Sequence, residues 1–318
     1  MNRYIVKRLL QFIPVLIGIS ILIFGIMRIV PGDVAMRILV GSGSGNYSQE
    51  EYDRITEDLG LDDPIVVQYF KWTGGVVTGD WGESIYSGRP VLEEIGDSFP
   101  LTFQLATMTV VISLLLGLPL GILMAVRQNT WVDYIARVVS MGGLALPNFF
   151  VAALMLMVMV LAFEWIPPIR PADFWDDPWT NLQQVIWAAL ALGYLLSAII
   201  ARMTRSTLLE VLRQDYIRTA WAKGLQERSV ILQHALKNAV LPIVTIVGLQ
   251  YAALVGGTVI MEQFWNLPGI GFALVEAIFQ RDFPMVQGIV LLFAGIVLVA
   301  NLLVDILYAW LDPRVRYG

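Results

Sequence analysis

Apolar and polar residues fall into long blocks along this chain rather than into short alternations. Six apolar runs stand out: Leu9 to Val30, Leu101 to Val126, Val138 to Phe163, Leu182 to Met203, Ala239 to Met261 and Met285 to Trp310. The shortest have 22 residues. As helix that is about 33 Å, enough to cross a hydrocarbon layer of about 30 Å. The pattern predicts six membrane-spanning helices. The first run is too long for a signal-peptide core and no small-residue cleavage site follows it, so a retained first helix is expected. Gly and Pro interrupt several runs, at Gly117, Pro119 and Gly121 and at Gly142, Gly143 and Pro147. In membrane helices such residues favour kinks and close packing.

The polar blocks differ from one another. Residues 31–100 begin with the Gly-rich run Gly41 to Gly45 and turn acidic. Two amphipathic helices fit Ser48 to Leu59 and Pro64 to Val77, the first opened by Ser48 and Glu51 at capping-box spacing. Asp80 to Ser84 reads as a turn. A small extracytoplasmic subdomain is expected here, giving three regions: 1–30, the tail and first helix; 31–100, the subdomain; and 101–318, a five-helix core. Glu164 to Asn181 is acidic and rich in Trp and Pro, as an outer loop with interfacial aromatics should be. Glu262 to Pro284 reads as a re-entrant or surface segment centred on Trp265 to Gly271.

The block at 204–238 is basic and amphipathic. Thr207 to Lys223 has helical spacing, with Gly224 where a helix would stop, and a second short helix fits Glu227 to Lys237. Asn238 and Pro242 lead into the fifth run. Ala220 and Gly224 lie four apart on one face, so a shallow notch between them is expected, open to the surface of another protein. A solvated basic loop with an ordinary Gly cap is the alternative.

Composition narrows the class. The chain is 57% hydrophobic and 15% charged, too apolar for a soluble domain of this length. It has no cysteine, so neither disulfides nor thiolate metal sites, and a single histidine, His234, which excludes His-rich metal or triad chemistry. Charge sets the orientation. With both termini inside, residues 1–8, 127–137, 202–237 and 305–318 carry 14 of the 21 Lys and Arg. The Lys/Arg excess marks the cytoplasmic side, which then holds the 204–238 block.

Candidate chemistry is sparse. There is no Walker motif, no G-x-S-x-G, no H-E-x-x-H and no paired metal-ligand spacing. Gly269-Ile270-Gly271 lacks the strand context of a nucleotide loop. Any energy the protein uses must come from a partner or from an ion gradient. Asp305, with Asn301 four residues earlier on the same face, is the main intramembrane ionisable candidate. A structural pairing with Arg202 or Arg205 is the reading preferred for it over a proton or substrate site. A channel or ion-coupled secondary transporter would need intramembrane charge pairs or an inverted repeat, which the chain does not display. A membrane enzyme would need a catalytic set on one side.

The 215–242 stretch, DYIRTAWAKGLQERSVILQHALKNAVLP, resembles the EAA loop of the membrane subunits of ATP-binding-cassette (ABC) importers, in the form seen in dipeptide/oligopeptide permeases. Arg218-Thr219-Ala220 stands in place of Glu-Ala-Ala, and Gly224, Leu241 and Pro242 match the fixed positions. Trp221 departs from the family pattern, which has an arginine there. The resemblance extends to RYIVKRLLQFIPVLIGIS at the start, PGD at 31–33, LGLDDPIVVQYFKW, GDWGESI, RPVLEEI, PGIG, RDFPMVQG, the Asn301–Arg314 pattern and the LDPRVRY end. In order and spacing together these motifs are specific.

The resemblance implies an all-α, six-span type I importer permease of the prokaryotic inner membrane, with both termini cytoplasmic. It implies peptide as the cargo, with nickel complexes or oligosaccharides as alternatives. Its partners would be a second, related permease, two cytoplasmic ATP-binding subunits that hold ATP and Mg, and an extracytoplasmic solute-binding protein. Membrane lipid surrounds it, and nothing suggests nucleic acid. Arg218, Thr219, Ala220, Lys223, Gly224 and Leu225 would form the ATPase-docking helix. His234, Asn238, Leu241 and Pro242 would support it. Asn301 and Asp305 would be structural polar residues. The chain itself would bind no cofactor.

Overall fold

The computed structural model describes residues 2–29, 36, 39, 48–58 and 62–311. The predicted features at Pro31-Gly32-Asp33, at Gly41–Gly45 and at 312–318 lie outside the described residues. Regular structure in the described residues is helical, apart from an isolated bridge between Glu83 and Pro90. Among the described residues five helices are long and apolar enough to cross a membrane, or six spans if one bent pair counts as a span. The chain divides into two compact units, Leu101–Gly271 with Val299–Gly318, and Asn2–Pro100 with Phe272–Leu298.

In the second unit, α1 (Asn2–Ile29) carries the first apolar run. Helix α2 (Gln49–Asp58) opens with the predicted capping box. The Glu51 N–H donates to Ser48 Oγ at 3.2 Å and the Ser48 N–H to Glu51 Oε2 at 3.1 Å. Helix α3 (Ile65–Thr78) follows and ends on Gly79 in the left-handed region. At the predicted turn the Gly82 N–H bonds Asp80 Oδ1. Two motifs distant in sequence meet here. Ser84 Oγ and the Tyr86 N–H donate to the buried carboxylate of Asp282, which also caps the next helix through the Met285 N–H. A Cβ at Gly288 would come within 2.6 Å of Val91 Cγ1 and 3.4 Å of the Trp81 ring, so only glycine lets this surface close.

Helix α4 (Val91–Val126) does not start at Pro100, where the polar block ends, but about nine residues earlier. Its apolar part belongs to the first unit. There α7 (Pro178–Leu212) is the central element, buried along two-thirds of its apolar window. Ala188, Ala189, Ala191, Gly193, Ala198 and Ala201 make it narrow enough for neighbours to approach closely. Gly117 and Gly121 of α4 form a G-x-x-x-G stripe against it. A Cβ at Gly121 would lie 2.5 Å from Thr204 Cβ and 2.7 Å from the Ala201 carbonyl oxygen.

The third apolar run is not one straight span. Helix α5 (Trp131–Ala145) and α6 (Asn148–Phe163) meet at 106°, with the break at Leu146-Pro147. Proline removes the N–H that would continue the ladder and pushes the residue before it into extended backbone, and Leu146 has φ −107°, ψ 137°. Both halves pack on α7. Of the segment 127–137, placed inside by its charge, only 127–130 is turn, because α5 begins at Trp131.

Helix α7 ends at Leu212, and Gln214 has extended backbone. The single helix expected over Thr207–Lys223 is therefore two, α7 and α8 (Asp215–Ala222). The second helix expected at Glu227–Lys237 is not separate either. A turn at Glu227–Ser229, a π-helical stretch at Val230–Ala235 and α9 (Leu236–Gly257) follow without a break, and Pro242 lies inside α9. Helices α10 (Val259–Trp265), α11 (Ile270–Gln280) and α12 (Phe283–Leu311) complete the chain.

Candidate functional site

The basic block folds into a short arm standing on the ends of three membrane helices. Ile217 and Ala220 of α8 are buried against Ala125, Leu208, Val230, Ile231, Ala235 and Ala239. Ala220 is 7% exposed. The notch predicted between Ala220 and Gly224 is therefore not open at Ala220. A methyl side chain there lets α8 sit close on the π-helical stretch, so its smallness serves the chain's own packing.

The residues that face outward are Arg218, Thr219, Trp221, Ala222, Lys223, Gly224 and Leu225. They lie beside the buried stripe because α8 turns about 100° per residue. Trp221 is 45% and Leu225 37% exposed. Arg218 reaches Asp215 at 3.4 Å, with both side chains largely in solvent, and such a pair contributes little to stability.

Gly224 closes the arm. Its N–H bonds the Trp221 carbonyl at 2.9 Å and the Leu225 N–H bonds the Ala220 carbonyl at 3.4 Å, the paired bonds of a Schellman motif. Gly224 has φ +77°, and a Cβ there would meet nothing within 4 Å. Backbone conformation, not lack of space within this chain, is what calls for glycine.

The supporting residues are partly brought together. Asn238 Nδ2 donates to Tyr216 Oη at 2.9 Å and to the His234 carbonyl at 3.1 Å, tying the start of α9 to α8. His234, Leu241 and Pro242 are half-buried, the last two within α9. Tyr216 had no signal in the sequence, because its partner is 22 residues away across two helix breaks.

Asn301 and Asp305 lie half-buried on α12. Arg205, one of the partners expected for Asp305, is engaged elsewhere. It donates through Nε and Nη2 to Asp133, at 3.1 and 3.0 Å. Asp133 is fully buried and also receives Arg137 and the Asn129 N–H. This residue's role had no sign in the sequence, since nothing in spacing alone distinguishes a buried aspartate from a solvated one.

The PGIG segment forms a second polar cluster. Thr102 and Thr258 hydroxyls each donate to Glu262 Oε1 at 2.8 Å, and the Ile270 N–H donates to Thr102 Oγ1 at 2.8 Å. Glu262 is fully buried. A Cβ at Gly269 would stand 2.5 Å from its carboxylate, and one at Gly271 2.9 Å. These glycines admit a carboxylate, not a phosphate. Among the described residues no group of three or more His, Cys, Asp or Glu could hold a metal ion.

Residues 117–317 match the family described as the binding-protein-dependent transport system inner membrane component, and residues 1–106 match the N-terminal region of such membrane components. Three relatives align over the full length of both chains. The dipeptide transport system permease protein DppB of Alkalihalophilus pseudofirmus is 37% identical, the oligopeptide transport system permease protein AppB of Bacillus subtilis 39%, and the glutathione transport system permease protein GsiC of Escherichia coli 37%. In fold, the inward-facing MetNI methionine ABC transporter superposes with a TM-score of 0.57 at 16% identity, over 70% of this chain and 97% of that one. An amino acid ABC transporter superposes with a TM-score of 0.54 at 14% identity, over 69% and 94%. The chain belongs to the binding-protein-dependent transport system inner membrane component family, the permease subunits of ABC importers, and is a multi-pass protein of the inner membrane.

Proposed function

We propose that this permease forms half of a pathway for peptides, pairs with a second related permease, and takes its cargo from an extracytoplasmic binding protein. The names of its relatives, which transport dipeptides, oligopeptides and glutathione, support peptide over nickel complexes or oligosaccharides. ATP and Mg are held by two cytoplasmic ATP-binding subunits, and this chain contributes the arm that docks on them. Arg218, Thr219, Lys223, Gly224 and Leu225 make the contact, joined by Trp221 and Ala222. Ala220 holds the arm from behind. His234, Asn238, Leu241 and Pro242 carry it into the membrane.

The observation behind this reading is the arm's construction. One face of α8 is locked into the ends of α4, α7 and α9 and the other is open. A helix held this way moves with its membrane helices as one body. Nucleotide-driven closure of the ATPases then tilts those helices and biases the pathway between outward and inward access.

A crosslink tests this. The chain has no cysteine, so Ala222→Cys places a single thiol on the exposed face. In membranes holding the whole importer, a short thiol crosslinker should join this chain to an ATP-binding subunit, with a yield that changes on adding ATP. If Ala222→Cys crosslinks to no ATP-binding subunit while the variant still transports, the docking assignment is wrong.

A further inference from the structure

We infer that α3 lies in the bilayer, in the leaflet crossed by the C-terminal half of α1, and that its open face contacts lipid acyl chains rather than water or protein. The helix has three faces. One is docked on α1. Tyr69 Oη and Ser20 Oγ share a hydrogen bond of 2.8 Å, the Tyr69 ring meets Phe24 edge-on at 5.5 Å, and Trp72 stacks on Phe24 at 5.8 Å. Gln68, on the same side, is buried and donates to the Asp63 carbonyl.

The second face is apolar and open. Val66, Phe70 and Val77 recur at helical spacing and are 65%, 66% and 86% exposed. The third is polar, with Lys71 about a third of a turn round from Phe70, paired to Asp63 at 2.5 Å. A docked face, an apolar face and a narrow charged edge suit a helix at the boundary of hydrocarbon and headgroups. The Lys71 stem can carry its ammonium to that boundary.

Depth makes lipid the occupant. Ser20 lies nine residues before Ile29, about 14 Å along α1, and Phe24 about 7 Å. Half of a hydrocarbon layer is about 15 Å. The middle of α3 is thus fixed to a spanning helix at points within one leaflet. The rest of α1 presents Ile13, Ile17, Ile21, Leu22 and Ile26 outward. The open stripe of α3 is apolar in the same way as that surface. Phe70 and Val66 in water would expose a patch with no charged residue in it.

Fluorescence quenching tests this in proteoliposomes of the assembled importer, its other subunits made cysteine-free. Val66→Cys, Phe70→Cys and Lys71→Cys each carry a bimane label, which the cysteine-free chain permits. Dibrominated phosphatidylcholine reports contact with acyl chains and aqueous iodide reports contact with water. The expected result is bromolipid quenching at Val66 and Phe70 about twofold above that at Lys71, with iodide quenching reversed. Strong iodide quenching at Val66 and Phe70 places the helix in water and overturns the inference. Quenching by neither agent means a protein covers the face, which overturns it equally. Both exposed positions tolerate the label without disturbing packing, and either alone decides the outcome.

Discussion

Asp133 and Arg205, 72 residues apart, meet through two parallel bonds from the guanidinium to a carboxylate that solvent does not reach. The fork geometry is particular to arginine. Arg205→Ala should leave a buried carboxylate half-compensated and cost about 3 kcal/mol, read as a lower unfolding temperature of the purified complex. Arg205→Lys should recover only part of that loss. The paired change of Asp133→Leu with Arg205→Met should be milder than Arg205→Ala alone. If all three unfold like the parent, the pair carries no stability.

The contact of Gly121 with Thr204 predicts opposite signs at two glycines of one helix. Gly121→Ala puts a methyl 2.5 Å from Thr204 Cβ and should cost about 1–3 kcal/mol, because backbone must shift. Gly96 is also in α4 but has nothing within 4 Å of its Cβ position. Gly96→Ala should stabilise by about 0.5–1 kcal/mol through reduced backbone entropy in the unfolded chain. Thermal unfolding of both variants checks the pair of signs.

Gly224 allows a test that separates backbone from surface. Gly224→Ala strains a left-handed residue by about 1 kcal/mol, whereas Gly224→Asn should be tolerated better. If the arm docks as proposed, Gly224→Trp adds bulk to the contact face and should uncouple ATP hydrolysis from transport. Full substrate-stimulated transport by Gly224→Trp would refute the docking assignment.

Glu262 organises the PGIG segment through Thr102 and Thr258. Glu262→Gln keeps an acceptor oxygen and should be mild. Glu262→Ala removes the acceptor of two buried hydroxyls and opens a cavity, and should cost about 2 kcal/mol more. Gly269→Ala should resemble Glu262→Ala, because its methyl would take the carboxylate's space. Trypsin sensitivity at Arg281, just past α11, gives a local readout beside global unfolding.

Much of this protein was legible along the chain because membrane spans are written locally. An apolar run of sufficient length must be helical in hydrocarbon, where every backbone group has to bond within its own segment. The capping box at Ser48 and Glu51, the left-handed Gly224 and the order of family motifs are likewise local. Tertiary structure decided what periodicity could not. It carried α4 back through Pro100 and merged the Glu227 turn into α9. It turned Ala220 inward, gave Arg205 to Asp133, and closed Glu262 against Gly269. For Ala220, Arg205 and Glu262 the outcome depended on a surface supplied by residues distant in the chain: Ala125 for Ala220, Asp133 for Arg205 and Thr102 for Glu262. Small side chains look alike in sequence, whether they make room for a partner protein or for the chain's own next helix.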